Sequence, residues 1–461
     1  MAIRLHNTLT KAKEEFVTMT PGVVKMFVCG PTVYGLSHVG HAKTYTQFDF
    51  VARYLKKRGY QVTYAQNLTD VDDKIIRRAN ELGIDPRDLA AEYEKHYLDD
   101  MAALRNTNVD IFGRAHDHID EIVAQVQQLI ERGHAYRLDD GWYYDLSTFP
   151  GYGKLSGRTE VKAEDSVARV DENEHKRNPG DFALWKARKP GEPYWATALG
   201  EGRPGWHIED TAITDTIFGP QYDLHGGAVD LIFPHHEAEI AQMEAASGLD
   251  PLARYWMHAG LLRVDGAKMS KSTGNFLTIR DILKTADFRT LRYAFLSQHY
   301  RSSMELNDTT LDQARAARRR VENFARLIDR NHAESPASIA LARSARDAIF
   351  ERLDDDLDTP GALAALFDYI REQNRREEPP GAAALALLQD FDELFDAFDL
   401  DDRTTDDAEI ESLLARRREL RQARRFEEAD EIRKALQQRG IVIEDTPDTT
   451  RWWFTEQVTS A

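Results

Sequence analysis

The chain has 461 residues, 42% hydrophobic and 30% charged, with 78 acidic side chains against 60 Lys and Arg and a net charge of -18. That length exceeds one ordinary core, so two to four domains are expected, and the acidic balance excludes a surface coated in basic charge for non-specific nucleic-acid binding. The lone cysteine, Cys29, excludes an intramolecular disulfide and any site that takes two cysteine ligands from this chain.

One thiol in so long a chain suits a reducing cytoplasm. Residues 1–7 carry no signal-peptide pattern, and no apolar run approaches the roughly 18–20 residues that span a bilayer, so the expected protein is cytoplasmic and free of membrane.

Residues 25–30 form a short apolar run ending at Gly30-Pro31, as a buried parallel strand gives way to a loop. A helix is predicted after Gly40, because Tyr45, Phe48, Val51, Ala52 and Leu55 recur at helical spacing and a basic last turn precedes Gly59. Residues 60–67 alternate like a strand, completing the βαβ unit that opens a doubly wound sheet. Helical patterns follow at about 70–82, 87–104 and 116–133, then a hairpin at 136–146 and a Gly- and Pro-rich stretch over 147–205 that reads as a loop-heavy insertion. Strand signals return at 222–233 and 254–264. Beyond 305 glycine becomes scarce, and long helices at 311–332, 337–355, 360–376 and 381–398 predict a bundle. The acidic stretch 390–410 reads as a linker, and 409–461 as a small module of helices with a strand at 441–444.

Two strings carry nucleotide chemistry. His38-Val39-Gly40-His41 puts two imidazoles at the mouth of a helix, beside free backbone amides and the positive dipole end that favour phosphate oxygens, and Gly40 lets a nucleotide approach closely. Read alone, the string is equally a helix cap. Lys268-Met269-Ser270-Lys271-Ser272 puts two lysines on a Ser- and Gly-containing loop that can close on a triphosphate and neutralise the charge building on its α-phosphate. The two strings lie roughly 230 residues apart, each beside a strand, and the pair is far more specific than either.

These strings resemble the two nucleotide signatures of class I aminoacyl-tRNA synthetases, and the surrounding residues narrow the resemblance to the cysteinyl-tRNA synthetase family. Residues 27–41, 67–74, 205–209, 225–239, the lysine loop and 441–452 all resemble that family, in order, essentially end to end. The resemblance implies an α/β fold with a Rossmann-type catalytic core over 1–305, carrying an insertion over about 110–205 and a lysine-loop region over about 258–305. A helical tRNA-binding bundle over 306–400 and a small α+β anticodon-recognition module over 401–461 would follow. It also implies ATP-dependent formation of cysteinyl-adenylate, with Mg2+ accompanying the ATP, and transfer of L-cysteine to tRNA(Cys). His38, His41, Lys268 and Lys271 would stabilise charge, Gly40, Gly227, Asp230 and Lys271 would hold ATP, and Thr69 and Trp206 would meet the amino acid. Asp70 and Asp73 could face its ammonium group, although an Asp cluster at a helix N-terminus is the plainer reading.

A third constellation suggests a metal. His235 and Glu239, four residues apart on a predicted helix, share a face and can chelate an ion. By resemblance, one Zn2+ per chain would be held by these two, by Cys29 and by a second cysteine after Trp-His-Ile-Glu; this chain has Asp210 there. A carboxylate keeps the negative charge and binds zinc at about 2.0–2.2 Å, yet it hardens the site and weakens zinc selectivity. A three-ligand or empty site, with Asp210 merely capping a helix, stays open, as does entry of Glu209 or His236 into the metal sphere.

For RNA, residues 311–330 carry six Arg against three acidic side chains, and 411–440 a net +3, whereas 391–410 stands at -8. Phosphate contact is therefore expected on a few faces, with Asp445, Arg451 and Trp452 offering hydrogen bonds and a stacking ring to unpaired anticodon bases. A monomer is expected. Two other readings compete: a cysteine ligase of the mycothiol-ligase type, against which the RNA-facing bundle and tail argue, and a non-catalytic RNA-binding homologue, for which Asp210 would be the warning sign.

Overall fold

The computed structural model describes residues 2–158, 173–264, 267–268, 276–400, 405–439, 441–445 and 450–454. Val23–Val28 (β1), mostly apolar, and Gln61–Leu68 (β2) are largely buried on both faces, as central parallel strands are. Between them α1 (Val39–Lys57) buries Ala42, Phe48, Val51, Ala52 and Leu55 and ends on Lys56 and Lys57, which suit the negative end of its dipole. β3 (Ile111–Arg114) extends the sheet, and α2 (Trp206–Phe218), β4 (Tyr222–Ala228), α3 (Glu237–Ser247) and β5 (Ala253–Ala259) complete it. The strand order is β5-β4-β1-β2-β3, every pairing parallel. Read from the β3 edge, that is the 3-2-1-4-5 order of a Rossmann-type sheet. Its direction reverses between β1 and β4, where such sheets take ligands beyond the strand carboxyl ends. The Cys29 amide donates to Gly226 O at 3.0 Å, so the exits of these two strands lie side by side.

Several boundaries differ from the sequence reading. The first strand closes at Val28, and the expected strand 222–233 stops at Ala228, after which helical turns carry the chain through His236. Residues 254–264 divide into β5 and β6 (Leu262–Val264), and β6 pairs with Ala267–Lys268 and with Met304–Leu306. The larger correction is the insertion. Its described residues form an antiparallel five-stranded sheet of Ala135–Leu138, Gly141–Tyr144, Phe182–Ala187, Gly200–Pro204 and Trp195–Thr197, in that order. Glycines taken for loop signals serve close packing there. A Cβ on Gly205 would stand 1.8 Å from Ala183 O, so only glycine lets the chain pass this sheet into α2.

The chain divides into two compact units, residues 1–279 with 298–306 and 351–359, and residues 280–297 with 307–350 and 360–461. The second unit is mostly helical. The acidic stretch 390–410 is only briefly a connection, because Ala382–Phe395 reaches into it and α4 (Thr405–Gln422) begins within it. Asp392 accepts the Ala397 and Phe398 amides at 2.7 and 3.0 Å, so part of that acidity closes a helix. The tail packs α4, α5 (Phe426–Gln438), β7 (Ile441–Asp445) and β8 (Thr450–Phe454) around Ile410, Leu414, Leu436, Ile441, Ile443 and Trp452. β8 was not foreseen. No helix among the described residues is long and apolar enough to cross a membrane.

Candidate functional site

A cavity of about 700 Å³ opens past the carboxyl ends of β1, β2 and β4, a volume that suits a small ligand. His38, Gly40 and His41 line it where α1 begins. His38 caps the helix, its Nδ1 accepting from the Gly40 and His41 amides at 3.1 and 3.3 Å. Two amides expected to be free are thus already engaged, and with Nδ1 accepting, Nε2 carries the ring proton and is a donor. The His41 ring stacks on His38 with centroids 3.8 Å apart. Burial, then the charges of His38 and Lys74, push its pKa well below the usual imidazole value, so His41 is neutral.

The segment that follows the lysine string reaches the same place, with Phe276 in the cavity lining. Lys268 pairs with Arg263 through the backbone, while its side chain and all of Lys271 lie outside the described residues. Downstream, His38 bridges to Thr278, Val39 N donates to Leu277 O at 3.1 Å, and Ile279 N donates to Ser37 O at 2.9 Å. The chain that leaves the lysine loop is therefore tied to the entry of α1.

Asp230 lines the cavity and Gly227 does not. A Cβ on Gly227 would lie 2.8 Å from His236 Cε1, so this glycine makes room for a histidine ring.

Beneath the cavity floor lies a buried donor cluster. Cys29 leaves β1, Asp210 stands in α2, His225 in β4, His235 and His236 in the turn before α3, and Glu239 in its first turn. Asp210 is the fifth residue of α2, whose N-cap is Gly205, so the helix-capping alternative is excluded. Cys29 Sγ lies 3.4 Å from Asp210 Oδ2 and 3.6 Å from Glu239 Oε1, and His235 Nε2 lies 2.9 and 3.0 Å from the same two carboxylate oxygens. The i,i+4 pairing of His235 with Glu239 is thus as the sequence suggests. Burial, then the charges of Glu239 and Asp210, push the Cys29 thiol well above its ordinary value. Glu239 is likewise raised, by burial and then by Asp210.

The cluster's described ion-pair partners are histidines, and burial holds His225 and His236 neutral, well below their ordinary pKa. Asp210 Oδ1 is buried without a hydrogen-bond partner. Acidic donors packed together, an orphaned carboxylate oxygen and neutral imidazoles are what a divalent cation would satisfy, and the donor atoms of Cys29, Asp210, His235 and Glu239 lie within 4.8 Å of one another. The residues fit a zinc ion.

The amino-acid side of the cavity is equally specific. Trp206 lines it and stacks on His235 with centroids 4.2 Å apart. Thr69 lines it too, donating from Oγ1 to Glu209 Oε1 at 2.6 Å. Asp73 faces the cavity but is held by Lys186 at 2.9 Å and by Arg203, while Asp70 lies off the lining and pairs with His116. Asp70 is therefore not available to an ammonium group in the cavity. His236, left open by the sequence as an entrant to the metal sphere, lies 3.2 Å from Cys29 Sγ, and sequence reasoning missed His225 as a Cys29 neighbour, at 3.5 Å. The doubled histidine at 235–236 and the histidine before Gly226-Gly227 were the available signals.

In the tail, Asp445 accepts from Arg417 at 2.7 and 2.8 Å, from Arg421 at 2.5 Å and from Thr450 Oγ1 at 2.9 Å. Trp452 is 8% exposed, lies beneath the Arg326 guanidinium at 4.7 Å and donates to Glu411 at 2.7 Å. Both are engaged within the module, contrary to the expected open stacking ring, because the ring completes a core too small to spare it. The Arg451 side chain lies outside the described residues. Of the arginines over 311–330, Arg318 is buried and donates to Ala397 O, Asp287 and Glu322, so the charge count overstates what remains for phosphate.

The family pattern described as the tRNA synthetases class I (C) catalytic domain matches residues 15–316, a DALR domain 348–399, and the cysteinyl-tRNA ligase anticodon binding domain 406–452. The cysteine–tRNA ligase of Symbiobacterium thermophilum is 46% identical, covering 98% of this chain and 99% of that one. Its counterpart in Thermoplasma acidophilum is 44% identical over 98% and 100%. Among solved structures, Mycobacterium tuberculosis methionyl-tRNA synthetase bound by methionyl-adenylate covers 81% of this chain and 92% of its own, with a TM-score of 0.61 at 14% identity, a likeness of fold.

Proposed function

This chain belongs to the cysteinyl-tRNA ligase family and attaches cysteine to tRNA at the expense of ATP, and we propose that it selects cysteine through one zinc ion held by Cys29, Asp210, His235 and Glu239. The observation that carries the proposal is the buried cluster of thiol, carboxylates and imidazole on the cavity floor. Serine and cysteine differ by one atom, and a plain pocket resolves such differences by only ~1–3 kcal/mol. The bound ion would supply a bond to the substrate thiolate that a neutral hydroxyl does not match.

In the activation step the cysteine carboxylate attacks the ATP α-phosphorus in line, forming the acyl–phosphate bond as the bond to pyrophosphate breaks. No protein nucleophile is required, so the chain's own groups position the reactants and stabilise charge. His38 and neutral His41 stand at the positive end of α1 as ring donors toward phosphate oxygens. Lys268 and Lys271 neutralise the departing pyrophosphate, with Mg2+ accompanying the nucleotide, Gly40 admitting it and Asp230 holding its ribose. Trp206 walls the amino-acid pocket, and Thr69, oriented by Glu209, borders it. Residues 306–400 and 401–461 meet tRNA(Cys), the latter at the anticodon; Arg451 is the tail residue to test first, because Asp445 and Trp452 are already engaged. A monomer is proposed, and the single thiol is in keeping with a cytoplasmic setting.

The anticodon-domain match over 406–452 weighs against an amino-sugar ligase, and 44–46% identity to cysteine–tRNA ligases over the full chain weighs against a non-catalytic binder. Lys271→Ala is expected to lower the rate of cysteine-dependent ATP–pyrophosphate exchange by about 10²-fold or more with little change in cysteine affinity. Equal losses in rate and affinity would remove Lys271 from its assigned role.

A further inference from the structure

A buried amine joins the histidine helix to the chain that enters the lysine loop. Lys43 follows His41 by two residues on α1 and is fully buried. Its Nζ donates to Gly260 O at 2.8 Å and to Gln47 Oε1 at 3.2 Å, and lies 3.5 Å from Tyr300 O. Gly260 is the residue after β5 and lines the cavity; Leu261 leads on into β6, whose Arg263 pairs with Lys268. An apolar side chain of similar length would fill the same space without the cost of desolvating an amine. What it could not supply is a grip on two backbone carbonyls.

The crossing at Gly260 is held from both sides. Its carbonyl takes Lys43 Nζ, and its amide donates to Tyr300 O at 2.7 Å. A Cβ on Gly260 would stand 2.4 Å from Ser302 O and 2.6 Å from Arg301 O, so the chain passes residues 301–302 at a distance that only glycine allows. Tyr300 and Arg301 are fixed in turn by the buried Asp356, whose carboxylate accepts from the Tyr300 hydroxyl at 2.8 Å and from Arg301 at 2.7 and 3.0 Å. Further on, Met304 N donates to Leu261 O at 2.9 Å and Met304–Leu306 pairs with β6. The strands that border the lysine loop are thus referenced to residues 300–306, and Lys43 ties that seam to the helix carrying His38 and His41.

We propose that Lys43 is a positioning residue for the activation step: through Gly260 it fixes where the lysine loop begins relative to His38 and His41, so that histidines and lysines meet one triphosphate together. Lys43 does not itself line the cavity, so it acts through Gly260 and not on the substrate. The proposal rests on the role given to Lys271 above. Displacing groups that stabilise a transition state by about 1 Å can cost about 10²-fold in rate.

The test is rapid-quench measurement of adenylate formation by the full chain with ATP, Mg2+ and L-cysteine, read as burst rate and burst amplitude, for Lys43→Met, Lys271→Ala and the double variant. Lys43→Met is expected to lower the rate by about 10–100-fold, with the amplitude and the half-saturating cysteine concentration unchanged. In the Lys271→Ala background the same substitution is expected to cost less than about threefold more, because the loop it positions has lost the group it serves. Lys43→Arg, whose fork can meet the same carbonyls, is expected to stay within about fivefold of the unaltered protein. An unchanged rate with Lys43→Met, a fall in amplitude alone, an arginine variant as slow as the methionine one, or losses that multiply in full in the double variant would each overturn the proposal. A Lys271→Ala protein as fast as the unaltered one would instead overturn the role of Lys271 on which it rests.

Discussion

The cavity floor and the tail module each gather acidic groups, and they settle the charge in opposite ways. In the tail, Asp445 meets Arg417 and Arg421 at hydrogen-bond distance, and its carboxyl is held well below the usual range by the Arg417 hydrogen bond above all. On the cavity floor, Cys29, Asp210 and Glu239 meet one another and neutral imidazoles, and burial drives the Cys29 thiol and the Glu239 carboxyl upward. A carboxylate answered by guanidinium is a finished structural contact. Acids packed against one another beside orphaned lone pairs await a cation from outside the chain.

The contrast is broken most severely at Cys29. Cys29→Ala removes the cluster's sulfur, and bound zinc, measured by metal analysis, is expected to fall from one per chain to less than about a tenth. Cysteine-dependent exchange should fall by about 10³-fold or more. Retention of stoichiometric zinc would mean that the cluster is not the metal site.

Lys43 is an intermediate case that sharpens the comparison. Its amino group is buried and, among the described residues, is answered by dipoles, Gly260 O at 2.8 Å, Gln47 Oε1 at 3.2 Å and Tyr300 O at 3.5 Å, and burial lowers its pKa to about 7. Between about pH 7 and 10.5 the unfolded chain binds the extra proton, so stability should rise with pH across that window, by about 2–4 kcal/mol. Lys43→Met should flatten that rise in thermal melts; an unchanged slope would place the ionisation elsewhere.

The smallest expected effect is at Asp445. Asp445→Asn leaves Arg417, only 1% exposed, without its anion, but Asp445 itself is 36% exposed and screened by solvent, so a loss of about 1–2 kcal/mol in the tail is expected. Because the folded carboxyl is depressed, its contribution is present above the unfolded value near 3.9 and disappears as pH falls below it. The unsubstituted tail should therefore lose stability below about pH 4, and the variant should not share that loss. Tail melts followed by hydrogen exchange check both points.

The same contrast explains what was legible in the sequence. β1, α1 and β2 announce themselves because burial on both faces and helical spacing are local patterns, and His235 with Glu239 because four residues make one helical turn. The hairpin expected at 136–146 supplies two strands of the insertion sheet, but the other three were hidden because glycines there read as loop signals, whereas Gly205 exists to let two backbones pass. Trp452 looked available because, beside Asp445 and Arg451, its ring suited stacking on unpaired anticodon bases; its burial in the tail core comes from packing that no local pattern shows. His225 and His236 reach Cys29 from β4 and from the turn before α3, about 200 residues along the chain, and no spacing rule spans that distance.

The central claim is that cysteine is chosen by a metal bond and not by the shape of the cavity. The most direct measurement is ATP–pyrophosphate exchange with cysteine and with serine, on zinc-loaded protein and on the same protein stripped by a chelator and shown still folded. Stripping is expected to collapse a preference of roughly 10⁴ or more to the roughly 10–200-fold that pocket shape supplies, with restoration on adding zinc. A stripped protein that still prefers cysteine by several orders of magnitude would contradict it.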